Sequence, residues 1–354
     1  MPRQVAIPDA VDAIDFRLLN EWQRDFPLDA RPFARIAQAV GCSEDEVVGA
    51  YTRLKSQGLV SRVGAVFAPR RLGASALAAL AAPPDRLEAV AARVSREPAI
   101  NHNYQREHVF NLWFVVTAAS EVQLREVVAG IECDTGCAVI VLPLEEEFHI
   151  DLGFDLRENG QRSAHAPLRR VSAVRRGEPI ALPDQGDAAC LSADERRLVA
   201  ALQGGLALET EPFARLGLEA GLDQAEVIAT VARWVETGLI RRFGVVVRHH
   251  ELGLGANAMC VWDIPDGEVS ALGRQLAREP AVTLCYRRTR VAPQWPYNLF
   301  CMIHGSERDE VLAARDELAG RLGLDRFPHA VLFSCRRFKQ TGARYLGAKD
   351  LIDA

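Results

Sequence analysis

The chain has 354 residues, 49% hydrophobic and 25% charged, with a formal net charge of −5. That length implies about two to four domains. An acidic balance argues against a general nucleic-acid binder. No apolar run approaches the ~20 residues of a membrane span, and the N-terminal MPRQVAIPDA lacks the h-region of a signal peptide, so a cytoplasmic location is expected. Among the eight cysteines, only Cys133 and Cys137 are close, and a C-x3-C spacing supports neither a zinc ribbon nor an iron–sulfur cluster. Buried free thiols are expected instead.

In chain order, three short helices are predicted at Ala13 to Arg24, Arg31 to Ala39 and Ser43 to Gln57. The third opens on Ser43-Glu44-Asp45-Glu46, a capping box with serine as N-cap and glutamate three residues on. Leu59 to Phe67 follows as a β-wing, which completes a helix-turn-helix pattern. Beyond it the pattern is β-α-β-β-α-β, a ferredoxin-like arrangement, with helices near Arg86 to Arg96 and Glu121 to Ile131. Inside that domain lies NHNYQREHVFNLWF, Asn101 to Phe114, read as two strands and a short connection, with His102 and His108 on its two arms.

Residues 157–190 are rich in Arg, Ser, Gly and Pro without a sustained apolar period, and read as a linker. After it the whole unit recurs. Pro32-Phe33-Ala34-Arg35 returns as Pro212-Phe213-Ala214-Arg215, Gly41 as Gly221, Arg62 as Arg242, Gly64 as Gly244 and Leu72-Gly73 as Leu252-Gly253, all 180 positions apart. Helices are expected at Ala193 to Leu202, Glu211 to Ala220 and Asp223 to Thr237, with the wing at Leu239 to Val247. Strands are expected near Ala256 to Ile264, Val282 to Thr289, Tyr297 to His304 and His329 to Cys335, and helices near Gly267 to Arg278 and Ser306 to Leu322. The fold class is α+β, a tandem duplication of a helix-turn-helix domain (1–68, 191–248) and a ferredoxin-like domain (69–156, 249–354 with a C-terminal tail).

The Asn101–Phe114 stretch has a distorted copy at Leu284 to Phe300, LCYRRTRVAPQWPYNLF. Tyr104 matches Tyr286, Arg106 matches Arg288, and Asn111-Leu112 matches Asn298-Leu299, but both histidines are lost. Imidazole and guanidinium groups at strand ends suit an anionic ligand better than a core. Alternation along a strand places Tyr286, Arg288 and Arg290 on one face and Arg287 on the other. Further cations cluster at Arg248-His249-His250 and Arg336-Arg337-Lys339.

Helix-turn-helix plus ferredoxin-like domain resembles the Lrp/AsnC regulators. More specifically, HNYQREHVFNLWF, RHHELG and LCYRRTR…WPYNLFCMIHG resemble the siroheme decarboxylases of that superfamily, in their fused NirDL form. The resemblance covers nearly the whole chain outside the linker. It implies removal of two acetate carboxyl groups from siroheme, on the way to haem d1 or haem. It also implies no cofactor of the protein's own, since the siroheme iron belongs to the substrate and the macrocycle is the electron sink. On this reading His102, His108 and His249 are the candidate proton donors, and Tyr104, Arg106, Trp113, Arg248, Tyr286, Arg287, Arg288 and Arg290 bind substrate. His249 or His108 could equally contact the iron axially. His149, His304 and His329 are assigned to structure and His165 to the linker.

The recognition-helix positions carry acids, Glu44, Asp45 and Glu46 in one copy and Asp223, Glu226 and Glu236 in the other. Acids there repel phosphates, so nucleic acid is not an expected partner. The rival functions are a transcription regulator and a non-catalytic tetrapyrrole carrier. The two copies are expected to form an internal pseudo-dimer, with further self-association or related decarboxylase subunits as open partners.

Overall fold

The computed structural model describes residues 11–68, 71–150, 191–248 and 256–346. The linker and its His165, together with His249 and His250, lie outside the described residues. Copy one runs α1 (Ala13–Glu21), α2 (Pro32–Val40), α3 (Glu44–Ser56), β1 (Val60–Phe67), β2 (Ala74–Leu80), α4 (Leu87–Arg96), β3 (Ile100–Arg106), β4 (Leu112–Ala118), α5 (Glu121–Thr135) and β5 (Val139–Ile150). Copy two runs α6 (Ala193–Leu202), α7 (Pro212–Ala220), α8 (Gln224–Glu236), β6 (Ile240–Val247), β7 (Ala256–Trp262), α9 (Asp266–Leu276), β8 (Val282–Arg288), β9 (Leu299–Gly305), α10 (Arg308–Leu322) and β10 (His329–Gln340).

Local chemistry explains the helix ends. Ser43, Ser192 and Asp223 each cap a helix reciprocally with a glutamate three residues on, which satisfies two otherwise orphaned amides apiece. Gly41 and Gly221 stop α2 and α7 in the left-handed region, at φ 88° and 74°, where a side chain would clash.

The wings depart from expectation. Neither is a hairpin within its own copy: β1 pairs antiparallel with β6, and Gly64 lies opposite Gly244 at the centre of the register. A methyl group on Gly244 would lie 2.5 Å from the carbonyl oxygens of Trp22 and Gln23, so this close approach explains the glycine. The two helix-turn-helix units consequently share one hydrophobic core, which also takes in Tyr345 and Leu346. The segment after β10 thus leaves the ferredoxin-like domain and docks through Tyr345 and Leu346 on the helices.

The eight remaining strands close into a barrel in the order β10-β3-β4-β2-β5-β8-β9-β7. Each copy contributes four, and the copies are joined by β3–β10 and β5–β8. Strand alternation divides the side chains. Ala76, Ala78, Leu80, Phe114 and Val116 face α4 and α5, and Ala258, Cys260, Trp262 and Cys301 face α9 and α10. The bore takes Leu142, Trp113, Met259, Phe300, Met302 and Leu332. The last strand was expected to stop near Cys335; its extension to Gln340 is the part that pairs with β3.

The repeated Asn-Leu pair has a structural cause. Asn111 Oδ1 accepts from Ala82 N–H and its amide donates to Ala82 O, at 2.8 and 2.9 Å. Asn298 makes the same two bonds to Ile264, at 3.0 and 2.9 Å. Each asparagine pins the end of one strand hairpin to the strand beside it. Because Asn298 is 1% exposed, its loss strands the buried Ile264 N–H, while Ile264 O keeps its bond from Arg290, and Asn298→Ala should cost about 1–3 kcal/mol in urea denaturation. A loss below about 0.5 kcal/mol would contradict this account.

Candidate active site

The inner face of β3 carries the densest chemistry. Alternation turns His102, Tyr104 and Arg106 towards the bore, and a bulge between Ile100 and His102 makes Asn101 the extra residue opposite β4. Bulges re-aim side chains in this way. His102 Nδ1 lies 2.5 Å from Asn101 Oδ1, and the Asn101 amide donates to Thr117 Oγ1 at 2.5 Å. The His102 and Tyr104 rings stack at 6.2 Å. The Arg106 guanidinium sits 5.8 Å from the Tyr104 centroid and donates to Leu332 O at 3.0 Å.

The other copy completes the site. Across β10, Arg337 stands opposite Tyr104 and Gln340 opposite His102, and Arg337 donates to Gln340 at 3.2 Å. Arg62 of β1 acts on His102, and Arg248, just past β6, acts on Tyr104. Burial, then the positive charge of Arg62, pushes the His102 imidazole down to about 4, so it is neutral at pH 7. Burial raises the Tyr104 phenol, against the pull of Arg106, Arg337 and Arg248. Arg62, Arg106 and Arg248 each bury an Nε without a hydrogen-bond partner, and none of the three forms an ion pair among the described residues. Burying unpaired cations is costly, and it leaves a site ready for an anion.

The pseudo-equivalent face of β8 differs. Tyr286 and Arg288 remain, with Arg288 4.6 Å from the Tyr286 centroid and donating to Leu142 O at 2.8 Å. Leu284 stands where copy one has His102. Opposite Tyr286 the residue is Glu147, fully buried and paired with Arg241. Burial raises the Glu147 carboxyl and Arg241 opposes the rise. Glu147 and Arg241 neutralise each other here, but Arg288, like Arg106, buries an Nε without a hydrogen-bond partner and forms no ion pair among the described residues.

Two expectations need correcting. Arg290 does not share a face with Tyr286 and Arg288: β8 ends at Arg288, alternation lapses, and Arg290 binds Asp263 and Asp266 at 3.0 and 2.7 Å. Arg287 meets Glu145 and the same Asp266, so both arginines are satisfied outside the bore. His108 is not on a strand arm. It sits in the β3–β4 connection, where its Nδ1 accepts from Phe110 N–H at 3.1 Å and its ring meets Trp295 edge-on. At ~3.3 Å per residue β3 alone puts about 13 Å between His102 and Arg106, and His108 lies in the connection past that strand end, too far for one acetate to meet both.

Trp113 is buried in the bore 4.8 Å from Trp295, where it fills the middle of the barrel. His304 bridges Thr283 and Asn257, and His329 lies by Arg315. A surface cavity of about 590 Å³ lined by Arg86, Arg93, Arg96 and Asp134 lies outside the bore, against α4 and α5. Sequence reasoning passed over Asn101 and Arg62, and counted Arg337 only within a cation cluster. A repeat comparison that set Arg337 against Glu147 would have exposed the asymmetry.

Comparison with known proteins identifies the family. The family model described as the siroheme decarboxylase NirDL-like HTH domain matches residues 15–60 and 195–241, and that of the AsnC-like ligand binding domain matches residues 71–149 and 251–339. The siroheme decarboxylase NirDL subunit of Paracoccus denitrificans (strain Pd 1222) is 42% identical over 94% of this chain and 97% of its own. The siroheme decarboxylase of Hydrogenobacter thermophilus is 30% identical over 96% of this chain and 98% of its own. A crystal structure of the siroheme decarboxylase NirDL in complex with an iron-uroporphyrin III analogue superposes with a TM-score of 0.64 at 26% identity, over 96% of this chain and 95% of the other. The chain belongs to the siroheme decarboxylase family, of the NirDL type.

Proposed function

We infer that this chain decarboxylates siroheme, replacing two acetate side chains by methyl groups, and that the work is done at the inner face of β3. The observation that carries the reading is the meeting of Arg62, Arg106 and Arg248, without carboxylate partners among the described residues, around a neutral imidazole in an acidic protein. A macrocycle with eight carboxylates supplies the missing counter-charges. The packed mid-bore supports entry at the mouth beside His102, on the side of the wings.

Each turnover breaks the bond between a methylene carbon and its carboxylate. Carbon dioxide leaves, the electron pair stays on the methylene carbon and spreads into the macrocycle, and one proton completes the methyl group. Arg106 is suited to hold a carboxylate, because its guanidinium binds an anion and does not give up its proton. His102 suits the proton transfer: arrival of the polyanion offsets Arg62 and lifts the imidazole towards neutral pH, where it loads a proton on Nε2. His249, next in sequence after Arg248, remains a candidate second donor or iron contact. The iron arrives with the substrate, and the protein needs no further cofactor on this reading.

Incubation with siroheme without oxygen should yield a product lighter by two carbon dioxide units. Bound but unaltered siroheme would leave a carrier instead. Arg106→Ala should weaken siroheme binding at least tenfold, because a charge-assisted contact of about 1.5–3 kcal/mol is lost, whereas Arg290→Ala should change it less than threefold. His102 makes a third prediction. Its folded value lies below the ordinary 6.5, so its contribution to stability is complete above about pH 6.5 and is lost as the pH falls towards 4. His102→Leu should therefore flatten the acid side of a stability–pH curve by at most about 3 kcal/mol; an unchanged slope between pH 6.5 and 4 would exclude a depressed imidazole.

A further inference from the structure

We propose that Asn101 is a positioning residue: from the β3 bulge it holds His102 in the Nδ1–H tautomer and so directs the bare Nε2 at the bore. The inference deepens the decarboxylase reading and rests on it for the purpose of the device, but the tautomer itself can be read without any substrate.

The geometry runs from β4 inwards. Thr117 Oγ1 accepts from the Asn101 amide N–H at 2.5 Å, and Oδ1 of the same amide faces His102. An amide oxygen can only accept, so the imidazole nitrogen 2.5 Å away must donate. A neutral imidazole has one N–H; once Nδ1 carries it, Nε2 is left with a lone pair. Asn101 and Thr117 are 4% and 1% exposed, so water does not compete for these bonds. Arg62 from β1 acts on the ring, Tyr104 of β3 stacks beside it, and Arg337 from β10 and Arg248 beyond β6 act on that tyrosine. None of these is a carboxylate, and among the described residues the acceptor bonded to Nδ1 is Asn101.

Copy two shows that the bulge does not exist for an imidazole as such. The same irregularity falls between Val282 and Leu284, with Thr283 as the extra residue. Thr283 bonds Met302 O and His304, and the neighbouring bore position is Leu284. The bulge is common to both halves, while the bulge asparagine and its histidine occur in the half where Arg62 faces the ring.

The test uses the full chain labelled with 15N-histidine, with His102 assigned by the spectrum of His102→Gln. The wild type should show His102 as the Nδ1–H tautomer at pH 7. Asn101→Leu should populate the Nε2–H form and lower kcat for siroheme by about 10–100-fold, as loss of an orienting partner typically does, with KM changed less than threefold. Asn101→Asp should keep the Nδ1–H tautomer and move the alkaline limb of the kcat–pH profile to higher pH, since a carboxylate favours the imidazolium that donates the proton. Should Asn101→Leu not fold, Thr117→Val frees the amide to rotate and serves the same purpose. An Nε2–H wild type, or folded variants with unaltered tautomer and unaltered pH profile, would overturn the proposal. Inactivity of the wild type on siroheme, with the tautomer as expected, would instead remove the decarboxylase reading and leave the positioning contact standing.

Discussion

Everything in this molecule depends on two strand pairings that cross from one copy to the other. A ferredoxin-like sheet in isolation has two open edges, and open edges invite aggregation. Here β3 is covered by β10 and β5 by β8, so neither sheet keeps an edge. The consequence for chemistry is direct. The side chains that surround His102 come from β3 of one copy and from β10, with Arg248, of the other. No single copy could assemble them, and Arg106 is held by a carbonyl 226 positions away.

Onto a nearly symmetric frame the chain has placed an asymmetric set of charges. Backbone features obey the pseudo-twofold closely: both asparagine clamps, both bulges, and both arginines donating to the facing strand recur. The departures are confined to the bore. His102 gives way to Leu284, and Arg337 to a buried Glu147 that Arg241 neutralises. Since the frame is held by backbone bonds and by the outer cores, these positions were free to diverge without loss of the fold. Both faces keep a buried arginine, Arg106 and Arg288, but an internal carboxylate–guanidinium pair is found on the second.

The architecture was legible because it rests on local and periodic signals. The 180-residue offset, the Ser43–Glu46 capping box and the repeated turn glycines placed the helices of both helix-turn-helix units within a few residues. What escaped was non-local. That each wing would seek its partner in the other copy has no signature in Leu59 to Phe67 itself. Alternation misplaced Arg290 because it holds only while the strand continues, and β8 ends two residues earlier. His108 was put on an arm because His108-Val109-Phe110 has the apolar content of a strand; the Asn111 clamp and the bond from Arg106 N–H to Asn111 O close the connection sooner. Asn101 looked like a polar edge residue until the bulge turned it towards its neighbour.

The unpaired arginines make sense as a compromise between stability and binding. A buried guanidinium without a counter-ion costs several kcal/mol less when an anion arrives, and hydrophobic residues of similar volume would suit the empty protein better. Burial lowers the proton affinity of Arg62 and Arg106 alike. Burial, and after it the positive charge of Arg62, keeps the His102 ring unprotonated. One event, the arrival of a polyanion, therefore relieves both conditions: it pairs the arginines and raises the proton affinity of the imidazole between them. Binding and proton loading are coupled through a single electrostatic field, and a neutral ligand of the same shape would trigger neither.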